Sequence, residues 1–271
     1  MKRVLLGTCL LAVVVFSSVS WGLDFMGAPV STLEKNQWST GFNYSYSSMD
    51  IDVKGDTFGN HASSVISLPK KLRLNKYAFN LGYGLTENWD VYALFGSVRN
   101  RADLNYSGDA DWPGNRVSQS GNEFLWGLGT KATFYEYEKW AFGGLIQATW
   151  FNDVAINGST PVNDDEWTHT VKGELDMMEL QIATGASYQL NEWVSFYGGP
   201  FVHIINGDFK QREYCSICGL EKDTTDDVKQ SSWFGVFVGT QVNLCKNMSL
   251  SVEYQHTAFA NAVGANVVWR Y

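Results

Sequence analysis

The chain has 271 residues, of which 26 are glycine and 15% are aromatic, and its formal net charge is −8. An acidic chain lacks the basic surface that nucleic acids require, which argues against nucleic-acid binding. Abundant glycine and aromatic residues favour β-structure, in which backbones approach closely and large apolar faces form.

The first residues have the pattern of a secretory leader. Lys2 and Arg3 precede an apolar stretch over residues 4–16, and small residues follow it. This stretch is shorter than the roughly 20 apolar residues of a membrane anchor. The pattern therefore predicts a signal peptide over residues 1–22, cut before Leu23.

After the leader, polar and apolar residues alternate in most segments. In residues 38–46, Trp38 and Phe42 share one parity, whereas Ser39 and Asn43 share the other. Successive side chains of a strand point to opposite faces, so each strand has one aromatic face and one small, polar face. The alternation predicts ten strands, which begin near Gln37, Tyr77, Trp89, Glu123, Ala141, Met178, Trp193, Ser232, Ser249 and Ala262.

The composition of the small, polar face indicates whether the opposite, apolar face is covered by protein or by lipid. In a soluble sandwich, charged residues would dominate the face opposite the apolar one. Here that face carries Gly, Ser, Asn, Ala, Thr and Gln with few charges. This distribution suits a barrel in lipid, whose outside is apolar and whose interior is polar. A soluble all-β domain stays open as the alternative, because alternation alone does not show which face meets water.

The connections between the strands alternate in length. Tight turns separate four long polar segments, residues 53–70, 104–122, 152–172 and 206–230. Long loops on one side and short turns on the other are typical of transmembrane barrels. Eight or twelve strands remain possible, because the third and fourth long segments could each contain a hairpin. The tight turns are followed by Trp89, Trp140 and Trp193, which we expect at one membrane rim.

The end of the chain adds a further signal, because Val267, Trp269 and Tyr271 are apolar at alternate positions. With the leader, the alternating strands and the loop asymmetry, the chain resembles the bacterial outer-membrane β-barrel superfamily, the small porin-like and OmpA-like barrels. The resemblance implies a closed antiparallel barrel over residues 37–271, preceded by a short periplasmic segment over residues 23–36. It also implies contact with lipid and lipopolysaccharide, and recognition of these three apolar residues by the barrel-assembly machinery.

Four charged residues have the parity of the polar face and are expected inside the barrel: Lys131, Glu179, Glu253 and Arg270. Because an unpaired buried charge is costly, they are expected to pair, with Glu253 as a partner for Arg270. They could form a structural network that plugs a narrow barrel. They could equally form a charged constriction that selects small solutes.

The strand count restricts the function. About ten strands cannot form the wide channel of 16 to 18 strands, so a narrow porin-like channel for small solutes is the first hypothesis. The alternative is a non-conducting surface barrel that mediates adhesion or partner binding through its loops. Those loops carry many acidic residues, which could be simply solvated, bridge to lipopolysaccharide through divalent cations, or bind a cationic partner. No run has the spacing of a calcium loop, so no metal site and no cofactor are predicted.

The cysteines and histidines give weaker signals. Cys215 and Cys218 lie in the fourth long segment of an exported protein, so a disulfide between them is predicted. Cys245 is expected at the opposite rim, free or paired with another molecule. The four histidines lack the neighbouring serine or acid of a hydrolase motif, so the protein is not expected to be an enzyme; an outer-membrane hydrolase is the less favoured possibility. These histidines are His61, His169, His203 and His256.

Overall fold

The computed structural model describes residues 23–53, 64–108, 117–119, 122–162, 167–215, 221–230 and 233–271. Across these ranges the regular structure is entirely β. The strands are β1 (Trp38–Val53), β2 (Ser64–Thr86), β3 (Trp89–Gly108), β4 (Val117–Gln119), β5 (Asn122–Tyr137), β6 (Trp140–Val162), β7 (Trp167–Gln189), β8 (Val194–Cys215), β9 (Glu221–Gln230), β10 (Phe234–Cys245), β11 (Met248–Thr257) and β12 (Ala260–Arg270).

Ten of these strands close a ring. Each pairs antiparallel with its neighbours in the order β1, β2, β3, β5, β6, β7, β8, β10, β11, β12. The ring closes because β12 pairs with β1, with Arg270 opposite Ser39 and Val267 opposite Phe42. The prediction of a closed antiparallel barrel of about ten strands is confirmed.

The remaining two strands extend the wall on one side. β4 pairs only with β3. β9 pairs with the outer part of β8 and, through Gln230 opposite Ile51, with β1. The outer parts of β8 and β1 extend beyond β10, β11 and β12. There β9 alone lies between β8 and β1, in place of the three strands that separate them nearer the short turns. Because neighbouring strands lie about 4.8 Å apart, the wall narrows from ten strands to eight within the described ranges.

Much of each long polar segment is strand and not loop. In the third segment, β6 and β7 stay paired as far as Val162 opposite Trp167. A strand crosses the bilayer with about 9–11 residues, whereas β6 and β7 each have 23. The hairpin therefore projects beyond the membrane. The sequence predicts that β2 begins near Tyr77, whereas the strand begins at Ser64. The alternation of apolar residues ends where the strand leaves lipid, but the backbone pairing continues beyond that point.

The outward face of the ring is apolar and the short turns lie at one rim. Phe42, Phe79 and Phe95 point outward from successive strands and are exposed. Trp89, Trp140 and Trp193 follow the short turns and are also exposed, as expected for a rim belt. A search of the described residues for an apolar helix of bilayer length finds none.

Residues 23–36, here called the lead segment, do not lie in the periplasm as the sequence predicts. Residues 23–33 run inside the barrel, where Leu23 is 0% and Met26 is 2% exposed, whereas residues 34–36 are exposed. Leu23 and Met26 belong to a buried cluster with Leu145, Phe201 and Phe237 of the wall. The segment enters the lumen because its apolar side chains are buried there, and because inward polar side chains bind its backbone.

Candidate functional site

The chain folds as a closed antiparallel β-barrel with the architecture of barrels that cross a membrane by strands. The closed ring leaves no unpaired edge in lipid, its outward face is apolar, and its short turns and long hairpins lie at opposite ends. The outward face is apolar, so polar side chains that could bind or gate a solute lie in the lumen.

Three charged residues form a central ion cluster in the lumen: Asp24 of the lead segment, Lys76 of β2 and Glu179 of β7. The Lys76 Nζ atom lies 2.7 Å from Asp24 Oδ1 and 2.7 Å from Glu179 Oε2. The exposed fractions of the three side chains are 2% for Lys76, 8% for Asp24 and 0% for Glu179. The cluster connects the lead segment to two wall strands. Moving Asp24 out of the lumen would leave a buried charge uncompensated, which is energetically costly.

Other wall residues complete the surroundings of the central ion cluster. Thr149 donates its hydroxyl to the second oxygen of Asp24. The Lys76 ammonium lies 5.2 Å from the ring centroid of Phe151, a cation–π distance. His203 is fully buried, with its Nε2 atom 3.6 Å from Glu179 Oε2.

A glutamine ring, Gln147, Gln181 and Gln255, holds the backbone of the lead segment. Gln255 and Gln181 donate to the Asp24 carbonyl oxygen at 2.6 and 3.3 Å, and Gln147 donates to the Phe25 carbonyl at 3.5 Å. The three amides also bond to one another, at 3.3 and 3.1 Å. Buried backbone carbonyl groups need hydrogen-bond donors, and the three glutamine side chains provide them for the lead segment.

Two wall carboxylates bind the rest of the lead segment. Glu253 accepts the backbone N–H groups of Met26 at 3.0 Å and Gly27 at 2.9 Å. Asp90 accepts the Ser31 hydroxyl at 2.7 Å and the Thr32 N–H at 2.6 Å. Hydrogen bonds to a charged acceptor are stronger than neutral ones, so the segment is anchored at both its ends.

Lys131 and Arg270 line a cavity of about 60 Å³ at the periplasmic end of the lumen. The other lining side chains include Ser39, Asn43, Gln241, Ser251 and Asn266. Arg270 donates from Nη2 to the Ser249 hydroxyl at 3.1 Å. This periplasmic cavity lies between the lead segment and the wall.

A layer of buried apolar side chains, here called the apolar layer, lies in the lumen on the outer side of the central ion cluster. It consists of inward side chains from β2, β3, β5, β6, β7 and β8 that pack together: Leu72, Leu74, Val98, Leu125, Phe151, Leu175, Met177 and Ile205. None of these is more than 5% exposed. Dry apolar packing across a pore blocks ions, because water leaves such a constriction.

The structure places all four charged residues named from the sequence in the lumen, but in separate groups. Glu179 belongs to the central ion cluster, Glu253 binds the lead segment, and Lys131 and Arg270 line the periplasmic cavity. The expected pairing of Glu253 with Arg270 is wrong. Glu253 lies opposite Gly264 on β12, and the six residues from Gly264 to Arg270 span roughly 20 Å of strand.

Sequence reasoning missed Lys76, Asp90 and Asp24. Lys76 has the parity of the inward residues Ala78 and Asn80, and a predicted strand that began one residue earlier would have included it. Asp90 lies in a strand whose phase the sequence leaves unclear. Asp24 gives no periodic signal, since the lead segment is not a strand.

The remaining predicted residues fall at the ends of the barrel or outside the described ranges. Val267, Trp269 and Tyr271 are exposed on the outward side of the last strand and its end, while their part in assembly stays a prediction. Cys245 is an exposed free thiol. Cys218 and His61 lie outside the described residues, as does the side chain of Cys215, so the predicted disulfide stays a prediction.

No group of three or more His, Cys, Asp or Glu within the described ranges has a geometry that could hold a metal ion. No protein-family model matches the sequence. A search of curated proteins also finds no relative.

The chain is similar to solved outer-membrane structures at low identity. These include the translocator domain of the autotransporter NalP from Neisseria meningitidis (11% identity, 89% of this chain and 90% of that chain, TM-score 0.47). They also include OprG from Pseudomonas aeruginosa (11%, 88% and 97%, 0.44) and the protease OmpT from Escherichia coli (11%, 89% and 96%, 0.43). They include a translocator domain and a protease, and a shared fold does not determine the function.

Proposed function

We propose that this protein is a closed outer-membrane barrel that works at the cell surface, presenting its extended hairpins to a partner. The observation that carries the proposal is the filled lumen. The lead segment, the central ion cluster and the apolar layer occupy successive levels, and the side chains of the cluster and the layer are at most 8% exposed. Filling at each of these levels, within the described part of the chain, supports a barrel without a continuous water path.

The extended hairpins support a role outside the membrane. β6 and β7 continue in register beyond the bilayer, and β8 pairs with β9 above the end of β10. Exposed ion pairs join these strands, Lys210 with Asp176 at 2.8 Å and Arg212 with Asp223 at 2.8 Å. Backbone pairing fixes the shape of this projection, and a preformed surface loses less entropy on binding a partner.

A gated channel for small solutes is the second candidate. It is favoured by the periplasmic cavity, which shows that the lumen is not packed everywhere, and by the polar character of the contacts that hold the lead segment. Such contacts can be replaced by water, so the segment could leave the lumen. In this case closure is a resting state and not the function.

We expect the refolded full chain to give no conductance steps in a planar bilayer. Its lumen is blocked by the lead segment and the apolar layer, so raising the voltage should not open a path. Gel mobility with and without boiling verifies that the recorded protein is folded. Regular unitary steps from folded protein would refute the closed barrel and favour the gated channel.

We expect the β6–β7 hairpin to attract cationic partners. Its tip carries Asp164, Asp165 and Glu166 in the sequence, and an acidic surface speeds and strengthens the binding of cations at low salt. Replacing residues 157–172 by a two-residue turn keeps the remaining register, because Asn157 pairs with Lys172. Proteoliposomes with this variant should be retained less well on immobilised polylysine than the full chain.

The matched control keeps the hairpin and removes only its tip charge: Asp164→Asn, Asp165→Asn and Glu166→Gln. This variant should lose most of the same retention, and added salt should abolish the difference. Equal retention of the full chain, the shortened-hairpin variant and the charge-neutral variant at low salt would show that the hairpin is not part of the binding surface.

A further inference from the structure

We propose that the periplasmic cavity is a binding site for a small oxyanion of the phosphate type. Lys131 of β5 and Arg270 of β12 both line it, and these two strands are not neighbours in the ring. Two cations on separate strands face one small polar volume. Such convergence is expected of a site for an anionic group.

One of the two cations has a buried donor without an acceptor. The Arg270 Nε atom is buried and has no hydrogen-bond partner in the described part of the chain. Arg270 Nη2 has only the Ser249 hydroxyl, and the Lys131 ammonium has a Tyr92 ring centroid at 5.7 Å. A buried donor left unpaired is costly, so Arg270 Nε calls for an acceptor that the described part of the wall does not provide.

The nearby carboxylates are already engaged by the lead segment. Asp90 lies opposite Lys131 in the β3–β5 register, yet its two oxygens accept from Ser31 and Thr32. Both oxygens of Glu253 accept backbone N–H groups. The hydrogen bonds of both carboxylates are therefore directed to the lead segment, and Asp90 also lines the cavity beside the two cations.

The cavity has a suitable size and position. At about 60 Å³, it has room for about four to six waters, at roughly 10–15 Å³ for each. A tetrahedral oxyanion fills a comparable space. Guanidinium favours oxyanions because two of its N–H groups can bind two oxygens, and the free Nε belongs to such an edge. Arg270 lies at the end of β12 and is partly exposed, so the site opens towards the periplasm.

Equilibrium dialysis with inorganic phosphate tests the site on the refolded full chain in micelles, in chloride buffer. We expect saturable binding of one phosphate. Arg270→Gln and Lys131→Gln should each weaken it at least tenfold, because each removes a charged donor. Lys246→Gln changes an exposed lysine in a short turn and should bind as the full chain does.

Boiling-dependent gel mobility verifies that each variant is folded. If Arg270→Gln does not fold, Arg270→Lys keeps the charge but loses the second donor of the guanidinium edge, and should still bind more weakly. No saturable binding by the full chain, or equal binding by folded Lys131→Gln and Arg270 variants, would overturn the proposal.

Competition identifies the source of the oxyanion. Displacement by free sulfate but not by short-chain phosphatidylglycerol supports a soluble oxyanion as the ligand. Displacement by the lipid at lower concentration supports a headgroup phosphate that enters the same cavity. The measurement is made on the closed barrel, so its result is independent of the surface role proposed above.

Discussion

We expect a barrel that lacks residues 23–33 and carries Leu125→Ala and Phe151→Ala to conduct ions across a planar bilayer, and the full chain to remain silent. The deletion removes the lead segment, whose Asp24, Phe25, Met26 and Gly27 bind the glutamine ring and Glu253. The two substitutions open the apolar layer, where both side chains are 1% exposed. With both obstacles removed, water can fill the ten-stranded ring.

The two obstacles act in series, so each change alone should have little effect. The deletion alone leaves the apolar layer, and the two substitutions alone leave the lead segment. The matched control combines the deletion with Phe124→Ala and Leu128→Ala, two outward residues of the same strand that are exposed. It should stay silent. A folded triple-change barrel without conductance steps would show that closure has another cause.

The Lys76→Met substitution lowers the free energy of unfolding by about 3–5 kcal/mol. The reason is that Asp24 and Glu179 would remain in the lumen as two buried carboxylates without their shared cation. The loss is measured by urea unfolding of the refolded barrel, followed by tryptophan fluorescence. Adding Asp24→Asn and Glu179→Gln should recover most of the loss, since no buried charge is then left unpaired.

Lys210→Met is the matched control for this prediction. Lys210 meets Asp176 at 2.8 Å, nearly the same distance as in the central ion cluster, but its side chain is 52% exposed. An exposed pair contributes about 0–1 kcal/mol, because water screens it. If Lys76→Met costs no more than Lys210→Met, the central ion cluster does not hold the lead segment in place.

The strands of the barrel wall could be predicted from the sequence, whereas the side-chain contacts inside the lumen could not. The parity of Phe42 and Asn43 predicts which side faces lipid, because that choice depends on one strand at a time. The contact of Lys76 with Asp24 depends on where a non-periodic segment runs, and no local pattern encodes that path. The erroneous pairing of Arg270 with Glu253 has a similar origin, since strand parity gives the face of a residue but not its height in the barrel.

The sequence underestimates the length of the strands in the outer hairpins, for a different physical reason. Inside lipid, an apolar outward face is imposed by the solvent, whereas beyond lipid no such face is required. Backbone pairing then continues without an apolar face to reveal it. Loop-like sequence composition is therefore compatible with 23-residue strands.

The path of the lead segment also constrains the order of folding. Met26 and Asp24 bind Glu253 and Gln255, which follow them in the chain by 227 and 231 residues. These bonds cannot form before β11 has been synthesised, exported and paired, and contacts so distant in sequence form slowly. Docking of the lead segment is thus a late step, simultaneous with or after the zipping of the β1–β12 seam. A nascent barrel accordingly passes through a stage in which its wall is largely complete and its interior is still wet.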